Sequence, residues 1–350
     1  MICSDDLVGF FKHLETKSIL TKIETISPTK FERLRSCALR VSLEGQNQVP
    51  KHLRHPSKAQ LIGIIFHKAF QNYLSTHNES VEHAWNRAFE VVASKYRSNI
   101  SPNQVRRPKL FFQRRTDEIS SLLVDFGVER GSNQVKTEFG AATTDGKITG
   151  IFDLFIDRDP FAIVDFKTGI DADLELISPA VSRQLALYSV IVRDHRGKLP
   201  KVFVSGMKSR LNEILDLEIE TVLSELHSLV AEFNSGSGQQ LANVSIDSCK
   251  YCRQTSRCKE VWKDKSVLHA LNSLSGKVAS PPLVSANGMG SLKIMVENTQ
   301  LVSIRDVPQE FLSGINEGEV ARIWRLRKLP QSDNAYAWID YHSKIYSGPL

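Results

Sequence analysis

The sequence predicts an α/β fold: a mixed central β-sheet flanked by helices, followed by a small C-terminal β-rich unit. Three observations lead there. The first third of the chain places apolar residues at helical spacing. β-prone runs begin near residue 133, with a helix signal between the last two. Composition then shifts near Ser273.

Residues 1–56 read as irregular to helical. Ser57 can cap a helix over 58–77, where Leu61, Ile62, Ile65, Phe66, Ala69, Phe70 and Tyr73 form an apolar stripe. His67 lies beside that stripe; such a histidine, taken alone, is more often a packed core residue than a ligand. Helices over 81–97 and 109–128 follow. The β-prone segments are 133–139, 147–156, 161–166 and 201–205. Ser178 and Pro179 signal a helix start before the last of them, and on that helix Gln184 and Tyr188 stand one turn apart and face the same way. A further helix over 220–234 precedes a Gly/Ser/Gln stretch. Residues 273–290, rich in Ser, Gly and Pro, read as a linker. Beyond it, β-like segments at 292–297, 301–307, 319–328 and 335–346 suggest a small barrel or sheet, an OB-like barrel being one option. Trp324, Tyr336, Trp338, Tyr341 and Tyr346 suit base stacking, but filling a small core is the better reading for most of them. The expected organisation is therefore an N-terminal segment 1–56, a core 57–272, a linker 273–290 and a β-rich domain 291–350.

The chain has 350 residues and a 41% apolar fraction, ordinary for a globular protein with ample core. No apolar run is long enough to cross a bilayer, which excludes a helical membrane protein. The start, Met1-Ile2-Cys3-Ser4-Asp5-Asp6, lacks the basic and apolar stretches of a secretory signal, so a cytoplasmic location is expected. A net charge of +6 is compatible with a nucleic-acid partner without requiring one. Basic clusters at Arg106-Arg107-Pro108-Lys109, Arg114-Arg115 and 322–328 are candidate phosphate contacts or solvated faces. There is no internal repeat and no phosphate-binding loop. The nearest approach, Gly146-Lys147-Ile148-Thr149, lacks the upstream glycine and the hydroxyl after lysine. ATP-driven unwinding would have to come from a separate helicase or ATPase chain.

The chemistry concentrates in Gly150-Ile151-Phe152-Asp153 and Asp165-Phe166-Lys167-Thr168-Gly169. The two runs that carry these motifs, separated by Asp157-Arg158-Asp159-Pro160, read as a β-hairpin. If Asp157 and Phe161 close a three-residue loop, Asp153 lies opposite Asp165 and Ile151 opposite Lys167, on one face. A two-residue loop would put Asp153 on the other face and dismantle the set. Two acids and a lysine so placed suit a hard ion such as Mg²⁺ or Mn²⁺. Such an ion can bind a phosphodiester, generate hydroxide and stabilise transition-state charge.

Of the five cysteines, Cys249, Cys252 and Cys258 have ligand spacing, and Cys3 and Cys37 are distant. Without a signal peptide, disulfides are not expected. A fourth ligand must come from elsewhere, and Cys37 is the natural candidate. Four thiolates suit structural zinc or an iron–sulfur cluster, and spacing does not separate the two. Ligation by Cys37 would tie the N-terminal region to a segment over two hundred positions later.

Together these residues resemble the RecB-like branch of the PD-(D/E)xK nuclease superfamily, over residues 27–262. A helical Gly-x-x-x-His matches Gly63 and His67, Gly-x-x-Asp matches Gly150 and Asp153, Asp-x-Lys-Thr-Gly matches 165–169, and Gln-x-x-x-Tyr matches Gln184 and Tyr188. The resemblance implies a restriction-endonuclease-like core. It implies a metal held by His67, Asp153, Asp165 and the carbonyl of Phe166, with Lys167 orienting water or neutralising charge and Gln184 and Tyr188 positioning the substrate backbone. Glu138 falls where relatives often carry an acid. The cysteine pattern is similar to the iron–sulfur staple of AddB-type nucleases, which implies a [4Fe–4S] cluster on Cys37, Cys249, Cys252 and Cys258 in preference to zinc. One departure is Cys37-Ala38 where relatives often have Cys-Pro. The implied function is a metal-dependent DNA nuclease, an exonuclease on single-stranded or frayed ends in repair, recombination or anti-phage defence. A non-catalytic DNA-binding subunit on the same fold is the alternative, and a zinc-stabilised scaffold a third reading.

Overall fold

The computed structural model describes residues 22–46, 56, 58–96, 100–168, 177–206, 210–236, 241–255, 257–297, 299–330, 334–338 and 343–347. Cys3, Gly169 and Tyr341, singled out by sequence, lie outside these residues.

Among the described residues, five helices come first: α1 (Pro28–Ser36), α2 (Ala38–Gln46), α3 (Lys58–Ser75), α4 (Val81–Tyr96) and α5 (Pro102–Asp125). The last begins seven residues earlier than expected. The Ser101 amide donates to Gln104 Oε1 at 3.0 Å, and Pro102 occupies the first turn, where its missing N–H costs nothing. The helix then continues through Pro108, which is buried.

Next come β1 (Val135–Ala142), β2 (Thr149–Ile156), β3 (Ala162–Lys167), α6 (Pro179–Arg196), β4 (Lys201–Gly206), β5 (Leu211–Ile214) and α7 (Ile219–Asn234). The strands form one five-stranded sheet in the order β1-β2-β3-β4-β5. All neighbours are antiparallel except β3 and β4, which run parallel. A parallel pair needs a crossover, and α6 supplies it. As expected, the Ser178 hydroxyl caps α6 and Pro179 opens it; Gly197, at φ 70°, ends it. The sheet is apolar on both faces. Leu154, Ile156, Val164 and Phe166 pack with α3, α4 and α5, whereas Phe152, Phe155, Ile163 and Val204 pack with α1, α6 and α7. The mixed sheet flanked by helices is thus the fold observed.

Short helices α8 (Ile246–Lys250), α9 (Lys259–Lys263) and α10 (Lys265–Ala270) carry the distal cysteine segment. A second sheet follows: β6 (Leu274–Val278), β7 (Leu283–Val284), β8 (Met289–Val296), β9 (Gln300–Pro308), β10 (Val320–Trp324), β11 (Arg327–Lys328), β12 (Ala335–Ala337) and β13 (Lys344–Ser347). The region is β-rich as expected, but with eight strands it exceeds a five-stranded OB barrel. The expected linker 273–290 is instead part of this sheet. Its glycines permit close strand approach rather than flexibility: a Cβ on Gly276 would sit 2.4 Å from the Met295 carbonyl oxygen, and one on Gly290 would sit 2.5 Å from that of Leu283. Trp324 and Trp338 are core residues, 1% and 7% exposed. Arg322 is also buried, which removes it from the candidate phosphate contacts. Trp324 packs with Cys249, Val261, Val267 and Leu271, so the second sheet rests on the cysteine segment. Among the described residues, no helix is long and apolar enough to cross a membrane.

Candidate active site

The β2–β3 hairpin has the register its spacing demands. Leu154 pairs with Val164, Phe155 with Ile163 and Ile156 with Ala162, which leaves Arg158-Asp159-Pro160 as the loop between Asp157 and Phe161. The ladder stops at Leu154. Beyond it β2 separates from β3, and the Asp153 carboxylate enters the gap: the Phe166 amide donates to Asp153 Oδ2 at 2.7 Å.

Strict alternation also fails at Asp153. Phe152 joins the α6 core, whereas Leu154, two positions on, joins the α3 core. On the neighbouring strand, Glu138 has φ 47° and interrupts the β1–β2 ladder between the Thr137–Leu154 and Phe139–Phe152 pairs. A left-handed glutamate is costly and is held by its surroundings. Its effect is to turn two carboxylates toward one edge. There α3 delivers His67, whose Nδ1 lies 3.1 Å from Asp153 Oδ1 and 3.7 Å from Glu138 Oε1. Phe166 fixes that helix: its ring stacks on Phe70 at 4.1 Å and meets the His67 ring edge-on at 6.2 Å. Gly63, one turn before His67, lies against Thr168, whose Oγ1 would be 2.9 Å from an added Cβ.

A second network adjoins the first. Lys167 Nζ lies 2.7 Å from Asp165 Oδ2 and donates to Gln184 Oε1 at 2.9 Å. Gln184 Nε2 donates to Asp165 Oδ1 at 3.1 Å and to the Tyr188 hydroxyl at 2.9 Å. That hydroxyl donates in turn to the Ile151 carbonyl at 2.8 Å. Gly150 makes room for the ring, since an added Cβ would stand 2.6 Å from Tyr188 Cε1. The glycine of Gly-x-x-Asp is therefore a steric partner of the tyrosine of Gln-x-x-x-Tyr.

The structure brings His67, Glu138 and Asp153 within 4.8 Å of one another. Asp165 stands outside that triad, engaged by Lys167 and Gln184. His67 is thus not a bland core residue. Burial would lower its pKa, but hydrogen bonding and attraction to Asp153 and Glu138 outweigh burial and raise it to about 10. Burial pushes the Asp165 carboxyl up, against the pull of Lys167 and with a further push from Asp153. Tyr188 is raised chiefly by burial. Without an ion, the His67 imidazole keeps its proton between Asp153 and Glu138. A divalent ion bound there would displace that proton, leaving two carboxylates and an imidazole nitrogen as donors. That donor set fits a hard divalent ion.

The sequence model of the PD-(D/E)XK nuclease superfamily matches residues 25–259. The chain belongs to that superfamily. No curated protein matches it. Among solved structures it is similar to a candidate exonuclease from Eubacterium rectale, at 13% identity over 69% of this chain and 88% of that one, with a TM-score of 0.43. It is also similar to the protein SSO0001, at 16% identity over 73% of this chain and 93% of that one, with a TM-score of 0.31.

In this PD-(D/E)XK chain, Cys37, Cys249, Cys252 and Cys258 line one small cavity with Arg40, Leu43 and Val261. Cys37 caps the C-terminus of α1, and the Ser248 hydroxyl donates to the Ser36 carbonyl at 3.2 Å, which ties α8 to α1. Burial raises the thiol pKa of Cys249 to about 11 and also raises those of Cys252 and Cys258. Sequence reasoning missed one contact beside the Asp165–Lys167–Gln184 network. Arg183 Nε and Nη2 donate to the two carboxylate oxygens of Glu32 at 2.6 and 2.8 Å, joining α6 to α1 across 151 positions. No local spacing signals such a pair.

Proposed function

We propose that the chain is a metal-dependent deoxyribonuclease acting as an exonuclease on single-stranded or frayed DNA ends, of the RecB-like branch, in repair, recombination or anti-phage defence. One observation carries the reading: the His67–Glu138–Asp153 triad stands beside an Asp165–Lys167 pair whose lysine is already aimed and hydrogen-bonded. His67, Glu138 and Asp153 would hold Mg²⁺ or Mn²⁺, with Asp165 and the Phe166 carbonyl completing the set that the motif implies. The ion would supply an activated water and neutralise phosphate charge. Lys167 carries the positive charge that meets the phosphate as negative charge builds. Gln184 fixes both members of the Asp165–Lys167 pair, and Tyr188 fixes Gln184, so the ammonium need not reorganise during reaction. With no nucleotide-binding loop in the sequence, unwinding would be supplied by another chain.

The four cysteines would carry a [4Fe–4S] cluster. The four thiols line one shared cavity, which supports a common metal centre. The likeness of the cysteine pattern to the AddB-type staple favours iron–sulfur over zinc.

Single-turnover cleavage of end-labelled single- and double-stranded DNA, with and without Mg²⁺ or Mn²⁺, tests the enzymatic reading. Metal-dependent cleavage lost in Lys167→Ala is expected. DNA binding without cleavage under any divalent ion would assign the chain instead as a non-catalytic subunit. An absorption spectrum with iron and sulfide analysis tests the cluster, and colourless protein with stoichiometric zinc would overturn it.

A further inference from the structure

An exposed aromatic side chain stands on the cysteine segment, away from the residues of the catalytic networks. Tyr251 lies between Cys249 and Cys252 and is 63% exposed, while Cys249, Gln254 and Thr255 around it are buried. Two cations sit against its ring: Lys250 Nζ at 5.3 Å from the centroid and the Arg325 guanidinium at 4.9 Å. Lys250 comes from α8 and Arg325 from the corner between β10 and β11, so the two parts of the molecule build this feature jointly.

The corner is held in place. Arg325 has φ 58°; its amide donates to Ser273 Oγ at 3.0 Å, its Nη1 to the Lys250 carbonyl at 3.1 Å, and its carbonyl accepts from Ser343 Oγ at 2.6 Å. Arg253, next to Cys252, and Arg327 and Lys328, on the two-residue strand β11, are exposed on the same two segments. The nearest acid along α8, Asp247, is exposed one turn earlier. An aromatic ring with cations packed over it and most of its surface still exposed matches a polynucleotide: the exposed part of the ring stacks a base, and the cations meet phosphates.

We propose that the Cys249–Cys252 loop and the β10–β11 corner form a second contact surface for single-stranded DNA, with Tyr251 as the stacking residue and Lys250, Arg253, Arg325, Arg327 and Lys328 along the backbone path. This rests on the nuclease reading for its substrate. It assigns the second sheet a role in holding the strand whose end is cut elsewhere. It also explains why the sheet rests on the cysteine segment, since neither part alone makes the surface.

The experiment measures anisotropy of a fluorescein-labelled dT 30-mer with metal-loaded-cluster protein in EDTA, where no cleavage occurs. Tyr251→Ala is expected to weaken binding about tenfold and Tyr251→Phe to leave it within about twofold, because stacking needs the ring and not the hydroxyl. Lys250→Gln should reduce the slope of log affinity against log salt by about 0.7. Photocrosslinking of a bromodeoxyuridine 30-mer to the wild type should label the peptide containing Tyr251, a readout independent of how any variant folds. Unchanged affinity in Tyr251→Ala, equal loss in Tyr251→Phe, or crosslinks confined to other peptides would each overturn the surface. Wild type that binds and crosslinks but hydrolyses nothing with Mg²⁺ or Mn²⁺ sinks the enzymatic reading and leaves this one standing.

Discussion

The two sites of this molecule are organised in opposite ways. At the carboxylate site the side chains are held by hydrogen bonds within the protein: Asp153 by the Phe166 backbone amide, Asp165 by Lys167 and Gln184, Gln184 by Tyr188, and Tyr188 by the Ile151 backbone carbonyl. At the cysteine site the four side chains share a cavity, and burial keeps three thiols above their ordinary pKa. The first site is preorganised by the protein before any ion binds. The second brings four thiols into one cavity, and their final arrangement and deprotonation would fall to the metal centre proposed for them. A site of the first kind tolerates loss of its ion, whereas one of the second kind depends on it to hold the fold.

The sharpest way to break this contrast is to disable the proposed cysteine centre and then the proposed divalent-ion site. Cys252→Ser is expected to lose most folded yield, because α1 and the second sheet both rest on that segment. Stripping the divalent ion with EDTA should abolish cleavage and leave the thermal midpoint near its starting value. Parallel melting curves and cleavage assays check both. A Cys252→Ser protein as stable as wild type would show that the cysteine site is organised without its metal.

The next largest effect falls within the carboxylate site. Lys167→Ala should slow single-turnover cleavage roughly 10²–10³-fold and change DNA affinity much less, since the ammonium matters most in the transition state. An equal loss of binding would make Lys167 a ground-state contact. Gly150→Ala sharpens the same point by a different route. Its Cβ meets the Tyr188 ring at 2.6 Å, so the ring must move and Gln184 loses its support. A stability loss of about 1–3 kcal/mol is expected for such overpacking, with a fall in turnover that Tyr188→Phe, which removes only the hydroxyl, separates from simple crowding.

Much of this could be read in the residues, and the physical reasons are specific. Side chains alternate with a period of two, so a three-residue loop after Asp157 was enough to set the β2–β3 register. The ladder stops at Leu154, however, and Asp153 turns to His67 while Asp165 turns to Lys167 and Gln184. Ser178-Pro179 set the start of α6, and that placed Gln184 and Tyr188 on one face. What could not be read involves backbone geometry and long-range contacts. Nothing about glutamate announces a left-handed backbone at 138, yet that residue and the break at Asp153 decide which acids face His67. Glycines 276 and 290 look like flexibility in a composition count but are close approaches between strands. The buried Arg322 looked like one more cation of a basic run.

The smallest effect links the two sites. Glu32 and Arg183 are partly buried, with side chains 27% and 16% exposed, and their paired hydrogen bonds connect α1, which Cys37 caps, to the residue preceding Gln184. Glu32→Gln keeps the shape but weakens the pair, with an expected stability cost of about 1–3 kcal/mol. If the pair only supports the fold, its effect on turnover should be the same whatever stands at 184. If it positions α6 for chemistry, Glu32→Gln should slow turnover a few-fold in the wild-type background and have no further effect once Gln184→Ala has removed the side chain through which it acts. Single-turnover rates for the two single variants and the double variant make that cycle. Additive rate losses would confine Glu32–Arg183 to stability, and the cysteine segment would then have no route through this pair to Lys167.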